Sequence, residues 1–588
     1  MNKFKALIKV MSFFYTELTK YSIVSSLYYL FSSFSTTIST ILLQTVFDSA
    51  YNVVNGERQN IKTFFLYGLI FIIFHLIMKI IQSISSISIN AGIYERCMYL
   101  LRLKITQKSS MLPLFEYESD RIMDIKRKAE LCVDDEHLPG IFMLSLILIF
   151  SLAGIISLII VVGRYHWTLA LIAILSVIQY FLSSLIFEKR KYKITEEQTK
   201  STRLLNYIWK LFSTPICTKE MRTMEFGTYL SEKWRNIRRE NINTFQKQLK
   251  NNATVLFICD IMRAFGYAIG IISAIVYLIK GKISVGVFGA CIYAFIDVQT
   301  VVKDFFSALG SLPTKLQYAV DYWNYLEVPI ESEEDTIKFQ GLKEAIIVKN
   351  LEFKYPNMNY NAIKSISFEI KAGETVVILG DNGSGKTTLI KLLLGLYNPL
   401  KGSILFDNQP ITKLDKTSFY NNVTIVTQDF NLYAIPLREN IALHNLSEAN
   451  DSKRLVVAAK EAHLNVDIEK DFDKIVGRDF EGIELSIGQK QKVAISRAIF
   501  QTNDIVILDE PTSAIDPVTE SQILGNFIGI LENRTTIIVS HRVGLCKLAD
   551  RIIVIKEGEI CEMGTHAELI ESGKEYARMY KTQKHWYQ

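Results

Sequence analysis

Eight consecutive residues, Gly380-Asp381-Asn382-Gly383-Ser384-Gly385-Lys386-Thr387, carry the spacing of a phosphate cradle: Gly, four residues, then Gly-Lys-Thr. Glycine tolerates backbone conformations that turn successive N–H groups inward, so the loop can surround the β- and γ-phosphates of a nucleotide. Lys386 supplies a full positive charge and Thr387 a hydroxyl for Mg²⁺. The apolar run 375–379 before the loop reads as a strand. The run 388–396, opening on Thr388, reads as a helix whose N-terminus adds partial positive charge. An ordinary glycine-rich turn accounts for the glycines but not for these flanks.

A second chemical cluster lies downstream. Ile505-Val506-Ile507-Leu508-Asp509-Glu510 is an apolar, strand-like run ending in two carboxylates. Asp509 is placed to hold Mg²⁺, directly or through water. Glu510 is placed to orient or activate a water for in-line attack on the γ-phosphate. Such a strand end says little alone; together with a phosphate loop it is specific.

The elements that must position these residues occupy only part of the chain. Its 588 residues exceed what one core holds, and the 49% hydrophobic content hides a split. Residues 1–330 carry long apolar runs, 331–342 form an acidic, polar linker, and 343–588 alternate strand-like and helix-like segments. The expected fold is an α-helical six-span membrane domain followed by an α/β P-loop ATPase domain. A bilayer needs about 20 mostly apolar helical residues per crossing. The candidate spans are 21–47, 63–89, 138–162, 167–187, 253–279 and 285–309. Residues 4–19 fit an amphipathic helix at the inner face better than a cleaved signal peptide.

Basic residues concentrate in the two long connections, 90–137 and 188–252, and are few in the other three. That asymmetry puts both connections and both termini in the cytoplasm. The small net charge of +6 sits between apolar spans, so nucleic acid is not an expected partner. Seven scattered cysteines show neither metal-ligand spacing nor a disulfide framework. His75, Lys79, Asp260, Arg263 and Asp297 fall inside apolar spans, where each charge costs about 2.5–3.5 kcal/mol at a helix centre. They are expected to face a bundle interior or an aqueous cavity.

Between the two chemical clusters lies Leu485-Ser486-Ile487-Gly488-Gln489. With it the whole chain resembles an ATP-binding cassette transporter, specifically a bacterial exporter half-transporter. The family signature is Leu-Ser-Gly-Gly-Gln, and Ile487 departs from it. The resemblance implies that the cofactors are ATP and Mg²⁺. ATP would be held by Tyr355, stacking on adenine, by Asn382 to Thr388, and by Gln428. Mg²⁺ would be held by Thr387, Gln428 and Asp509. Glu510, His541, Gln428 and Lys386 would form the catalytic set, with His541 on the γ-phosphate. Arg438-Glu439-Asn440-Ile441 resembles an exporter motif, and Ser513-Ala514-Ile515-Asp516 the loop that crosses the dimer interface.

The family works as a head-to-tail pair of cassettes, so Ser486, Gly488 and Gln489 of one copy would cap ATP on the other. With one cassette per chain, a homodimer in the bacterial cytoplasmic (inner) membrane is expected. The cytoplasmic turns near 114–124 and 215–224 would dock on the cassettes. Four residues separate Gly477 from Gly482, where exporters usually have two, and the run 477–497 looks like exporters of modified peptides, including lantibiotics. The expected cargo is a peptide, with multidrug or lipid export as the alternative. No cysteine-protease domain precedes the spans, so leader cleavage is not expected within the chain. The six spans argue against a soluble cassette ATPase, and the fusion of spans to cassette argues against an importer.

Overall fold

The computed structural model describes residues 2–586 except 57–60, 118, scattered positions between 177 and 196, 331–335, 356–357, 478–480, 512–522 and 524–532. It divides into two compact units. The first is Met1–Leu112 with Glu118–Pro329, and the second is Pro113–Tyr117 with Ile330–Gln588.

The first unit is helical. Five of its described helices are long and apolar enough to cross a membrane: Thr19–Val54, Ile61–Ser110, His137–Tyr165, Gly227–Ile279 and Val285–Leu326. The second of them passes through a π-helical stretch, Ser88–Glu95. Of the predicted span 167–187, the helix Trp167–Leu175 is described, and much of the rest lies outside the described residues. At about 1.5 Å per residue the 53-residue helix Gly227–Ile279 is roughly 80 Å long. That is far more than the ~30 Å of a hydrocarbon core, so its charged first half continues beyond the apolar run.

Helix Val285–Leu326 packs against Thr19–Val54 and His137–Tyr165. The latter two also pack on each other, where close approach needs small residues: a Cβ on Gly154 would stand 2.4 Å from the Ser33 carbonyl oxygen. The start of Val285–Leu326 is capped twice. Ser284 Oγ accepts from Val287 N, and Asp48 Oδ1 accepts from Ser284 Oγ and Gly286 N, both at 2.8 Å.

The second unit holds two sheets. An antiparallel sheet has the order β2-β1-β4-β5, from Ile363–Lys371 (β2), Ala345–Phe353 (β1), Lys401–Phe406 (β4) and Gln409–Pro410 (β5). The larger sheet has the order β10-β9-β3-β8-β7-β6. Its strands are Glu559–Gly564 (β10), Arg551–Lys556 (β9), Thr375–Leu379 (β3), Thr535–Ser540 (β8), Ile505–Asp509 (β7) and Val423–Val426 (β6). All neighbours in it are parallel except β10 with β9. Strands β3 and β7 are near-continuous apolar runs, and β8 is buried along its whole length, so both faces are covered as a parallel sheet demands.

Phe339 and Leu342, read above as linker, are buried in the core around the antiparallel sheet. Ile337 pairs its backbone with Lys413 and Asp415. Leu114 packs on the same core, and the ring of Phe115 stands edge-on to Tyr397 at 6.5 Å.

Candidate functional site

Parallel register brings the chemistry together. Leu379 lies opposite Ser540, Asp509 opposite Val539 and Val426 opposite Leu508. Strands β3, β8, β7 and β6 therefore end at one edge of the sheet. The loops leaving them carry the phosphate loop, His541, Glu510 and Gln428 respectively. Ligands of open α/β sheets bind outside these carboxyl ends.

The phosphate loop closes into helix Lys386–Leu393. Gly385 sits at φ 105°, and a Cβ there would come 2.8 Å from the Ala362 carbonyl oxygen, so only glycine fits. Lys386 is 6% exposed, and its Nζ donates to Gly380 O at 2.8 Å and Asp381 O at 2.9 Å. Burial pushes its pKa below the usual lysine value. Folded back on its own loop, the ammonium is stored where phosphate oxygens would replace those carbonyls.

A cleft of about 750 Å³ unites the predicted residues Tyr355, Asn382, Gly383, Gly385, Lys386, Thr387, Thr388, Gln428, Glu510 and His541. Tyr355 stands at one end, held by its hydroxyl against Thr388 Oγ1 at 3.1 Å and by rings of Phe353 and Tyr397. At the other end Glu510 Oε1 lies 3.0 Å from His541 Nδ1, and Oε2 accepts from Gln428 Nε2 at 3.3 Å. Glu510 adopts φ 48°, in the left-handed region that few non-glycine residues enter.

Ser384 and Asp509 are buried beside the cleft. Ser384 Oγ and Asp509 Oδ1 have no hydrogen-bond partner among the described residues. Burial pushes the Asp509 carboxyl up to about 6, against an opposing hydrogen bond from Thr387. A buried, unsatisfied carboxylate oxygen beside a hydroxyl is a donor set suited to a hard dication, so the residues present fit Mg²⁺.

The structure does not bring Ser486, Gly488 and Gln489 to this cleft; they open helix Ile487–Phe500 elsewhere. Ser486 caps that helix in a reciprocal capping box with Gln489, and Ile487 is 72% exposed. The stretch Ser513-Ala514-Ile515-Asp516 lies outside the described residues. Sequence reasoning missed Tyr360, Lys364, Glu557 and Gly558, which also line the cleft. Gly558 braces the phosphate loop by donating its N–H to Ser384 O at 3.0 Å. Its only sequence signal is the Glu557-Gly558 turn between β9 and β10.

Residues 363–513 match the family model described as ABC transporter. The subtilin transport ATP-binding protein SpaT of Bacillus subtilis is 30% identical over 83% of this chain and 80% of its own. The chain belongs to the ABC transporter family. This ABC transporter is also 25% identical, over 97% of both chains, to the nisin transport ATP-binding protein NisT of Lactococcus lactis subsp. lactis. An ATP-dependent lipid A-core flippase of Alcanivorax borkumensis is 27% identical over 85% of each chain. The solved structure of a bacterial Atm1-family ABC exporter with ATP bound shares the fold, with a TM-score of 0.76 at 20% identity over 97% of this chain and 99% of the other. As an ABC exporter the protein binds nucleotide and couples ATP hydrolysis to transport of a substrate across a membrane.

Proposed function

We propose that this ABC exporter acts as a homodimer in the bacterial cytoplasmic membrane and exports a peptide, most naturally a modified one. The observation that carries the dimer is the division of the ATP site. The phosphate loop, Glu510 and His541 share one cleft, while Ser486, Gly488 and Gln489 lie outside it on a helix start that has hydroxyl and N–H groups to offer. A second copy, turned head to tail, supplies them.

In the closed pair, Tyr355 stacks on adenine, and the loop N–H groups and Lys386 bind the phosphates. Thr387, Asp509 and Gln428 would hold Mg²⁺, which would supply positive charge against the phosphates. Glu510 orients a water in line with the γ-phosphate and takes up its proton, while His541 holds both Glu510 and the γ-phosphate.

Peptide cargo is supported by the relatives named for subtilin and nisin transport. A charged group within the apolar helices supports it too: Asp260 Oδ1 lies 3.3 Å from Arg263 and 3.9 Å from Lys303. The similarity to lipid A-core flippases favours lipid cargo as the second reading. The test is ATP hydrolysis by the purified transporter in liposomes, with lanthionine-containing peptides or excess lipid added. Stimulation by peptide at micromolar concentration supports the proposal; stimulation by lipid alone favours a flippase.

A further inference from the structure

His541 Nδ1 lies against Glu510, yet its side chain is 43% exposed, so packing does not hold the imidazole in place. Its position must come from its backbone. Gln583, on the helix Glu575–Trp586, grips that backbone with both ends of its amide. Its Nε2 donates to His541 O at 2.6 Å, and its Oε1 accepts from Val543 N at 2.9 Å. Between them, Arg542 N donates to Ser540 Oγ at 2.9 Å. The amide thus spans the turn that leaves β8 and carries His541.

The helix that delivers Gln583 is firmly seated. Tyr576, Met579, Tyr580 and Gln583 fall at i, i+3, i+4 and i+7, which is one helix face. Tyr576 is fully buried, its N–H donates to Glu562 at 2.7 Å, and its hydroxyl meets His566 Nδ1 at 2.6 Å. Tyr580 lies under Lys547 Nζ at 5.7 Å. Gln583 is therefore a polar residue at the far end of an otherwise aromatic and apolar stripe. Packing alone would favour an apolar side chain there.

We propose that Gln583 is a positioning residue for ATP hydrolysis: it locks the His541 turn so that the imidazole meets Glu510. A continuous chain then runs from Gln583 through His541 and Glu510 to Gln428. The proposal rests on the hydrolytic role assigned above to Glu510 and His541.

The test compares steady-state ATP hydrolysis of the full-length transporter with that of Gln583→Leu, Gln583→Glu, His541→Ala and the double variant Gln583→Leu/His541→Ala. Gln583→Leu keeps the apolar face and removes both hydrogen bonds. It should lower kcat about tenfold and leave KM for ATP within about threefold. Gln583→Glu keeps the acceptor for Val543 N and should fall between Gln583→Leu and the parent protein. In the His541→Ala background Gln583→Leu should bring no further loss, because both act through one group.

Full activity of His541→Ala would remove the premise. Impaired His541→Ala with unimpaired Gln583→Leu would overturn the lock and leave the hydrolytic site intact. An equal loss from Gln583→Leu with and without His541 would show a merely structural role and also overturn it. Should Gln583→Leu unfold, the same comparison runs on Gln583→Glu, and parent-level turnover there rejects the proposal.

Discussion

Glu510 shows how one residue's chemistry depends on three others. Its backbone is held at φ 48° by Glu510 N donating to Val539 O at 3.0 Å, and its carboxylate is shared between His541 and Gln428. Only 11% of its side chain is exposed, so a water reaching it is one the cleft selects. Glu510→Gln preserves size and both neighbours but cannot take up a proton. ATP binding should persist while turnover falls on the order of 100-fold or more, measured as nucleotide affinity against phosphate release. Near-parental turnover would remove Glu510 from its role. Glu510 and His541 were legible in the sequence because each directly follows an apolar strand, in a fixed order of motifs. Gln583 and Gly558 were not. Their meaning lies in hydrogen bonds to backbone atoms far away in sequence, which neither a turn signal nor a place on a helix face announces.

The helix Ile487–Phe500 ties the signature to the rest of the cassette. Arg497 Nε donates to Asn440 O at 2.7 Å, and its Nη2 donates to Asn431 O at 2.9 Å. Burial pushes the Arg497 guanidinium down to about 10. Asn440 is fully buried, accepts from Tyr433 N at 3.0 Å and donates to Tyr433 O and Ile435 O. The motif around Asn440 is therefore a brace between the segment after β6 and the signature helix. Asn440→Ala leaves several buried groups unpaired and should destabilise the cassette by about 2–3 kcal/mol, read as a lower thermal midpoint of the full chain. A midpoint unchanged within error would show that the brace is dispensable.

At the start of the same helix, Ser486→Ala removes a cap worth about 1 kcal/mol, and Gly488→Asp adds a carboxylate where phosphate is expected. Both should depress ATPase activity strongly. Ile487 is exposed and touches little in its own chain, so Ile487→Gly should change stability by about 0.5 kcal/mol or less and shift the apparent ATP affinity only modestly. Intact activity in both Ser486→Ala and Gly488→Asp would refute action of this stretch on a second copy's ATP.

For the whole molecule, hydrophobic length carried the reading. Apolar runs were enough to place five of the six predicted spans on described long apolar helices, because a bilayer imposes one length on every crossing. What composition could not mark was where the cassette begins: Phe339 and Leu342 follow a polar stretch and look like linker until β1 and β4 are seen to pack over them. Nor could it say which way an intramembrane charge faces. Asp260 and Arg263 lie one turn apart on helix Gly227–Ile279, with side chains 46% and 32% exposed in the single chain. Facing lipid, each charge would be expensive; facing a water-filled cavity between two copies, most of that cost disappears. Cysteines placed at 260 and 263 should therefore react with a membrane-impermeant thiol reagent added from the cytoplasmic side without nucleotide. They should be protected once ATP is trapped in a Glu510→Gln background. The native thiols Cys259, buried in the same helix, and Cys291, buried in helix Val285–Leu326, must be replaced first, so that only the new positions report. Reactivity in the first condition and protection in the second identify a cavity that closes to the cytoplasm with ATP. Unreactive cysteines in both conditions place the two charges against lipid or a packed interface, and the charge-based support for peptide cargo falls with them.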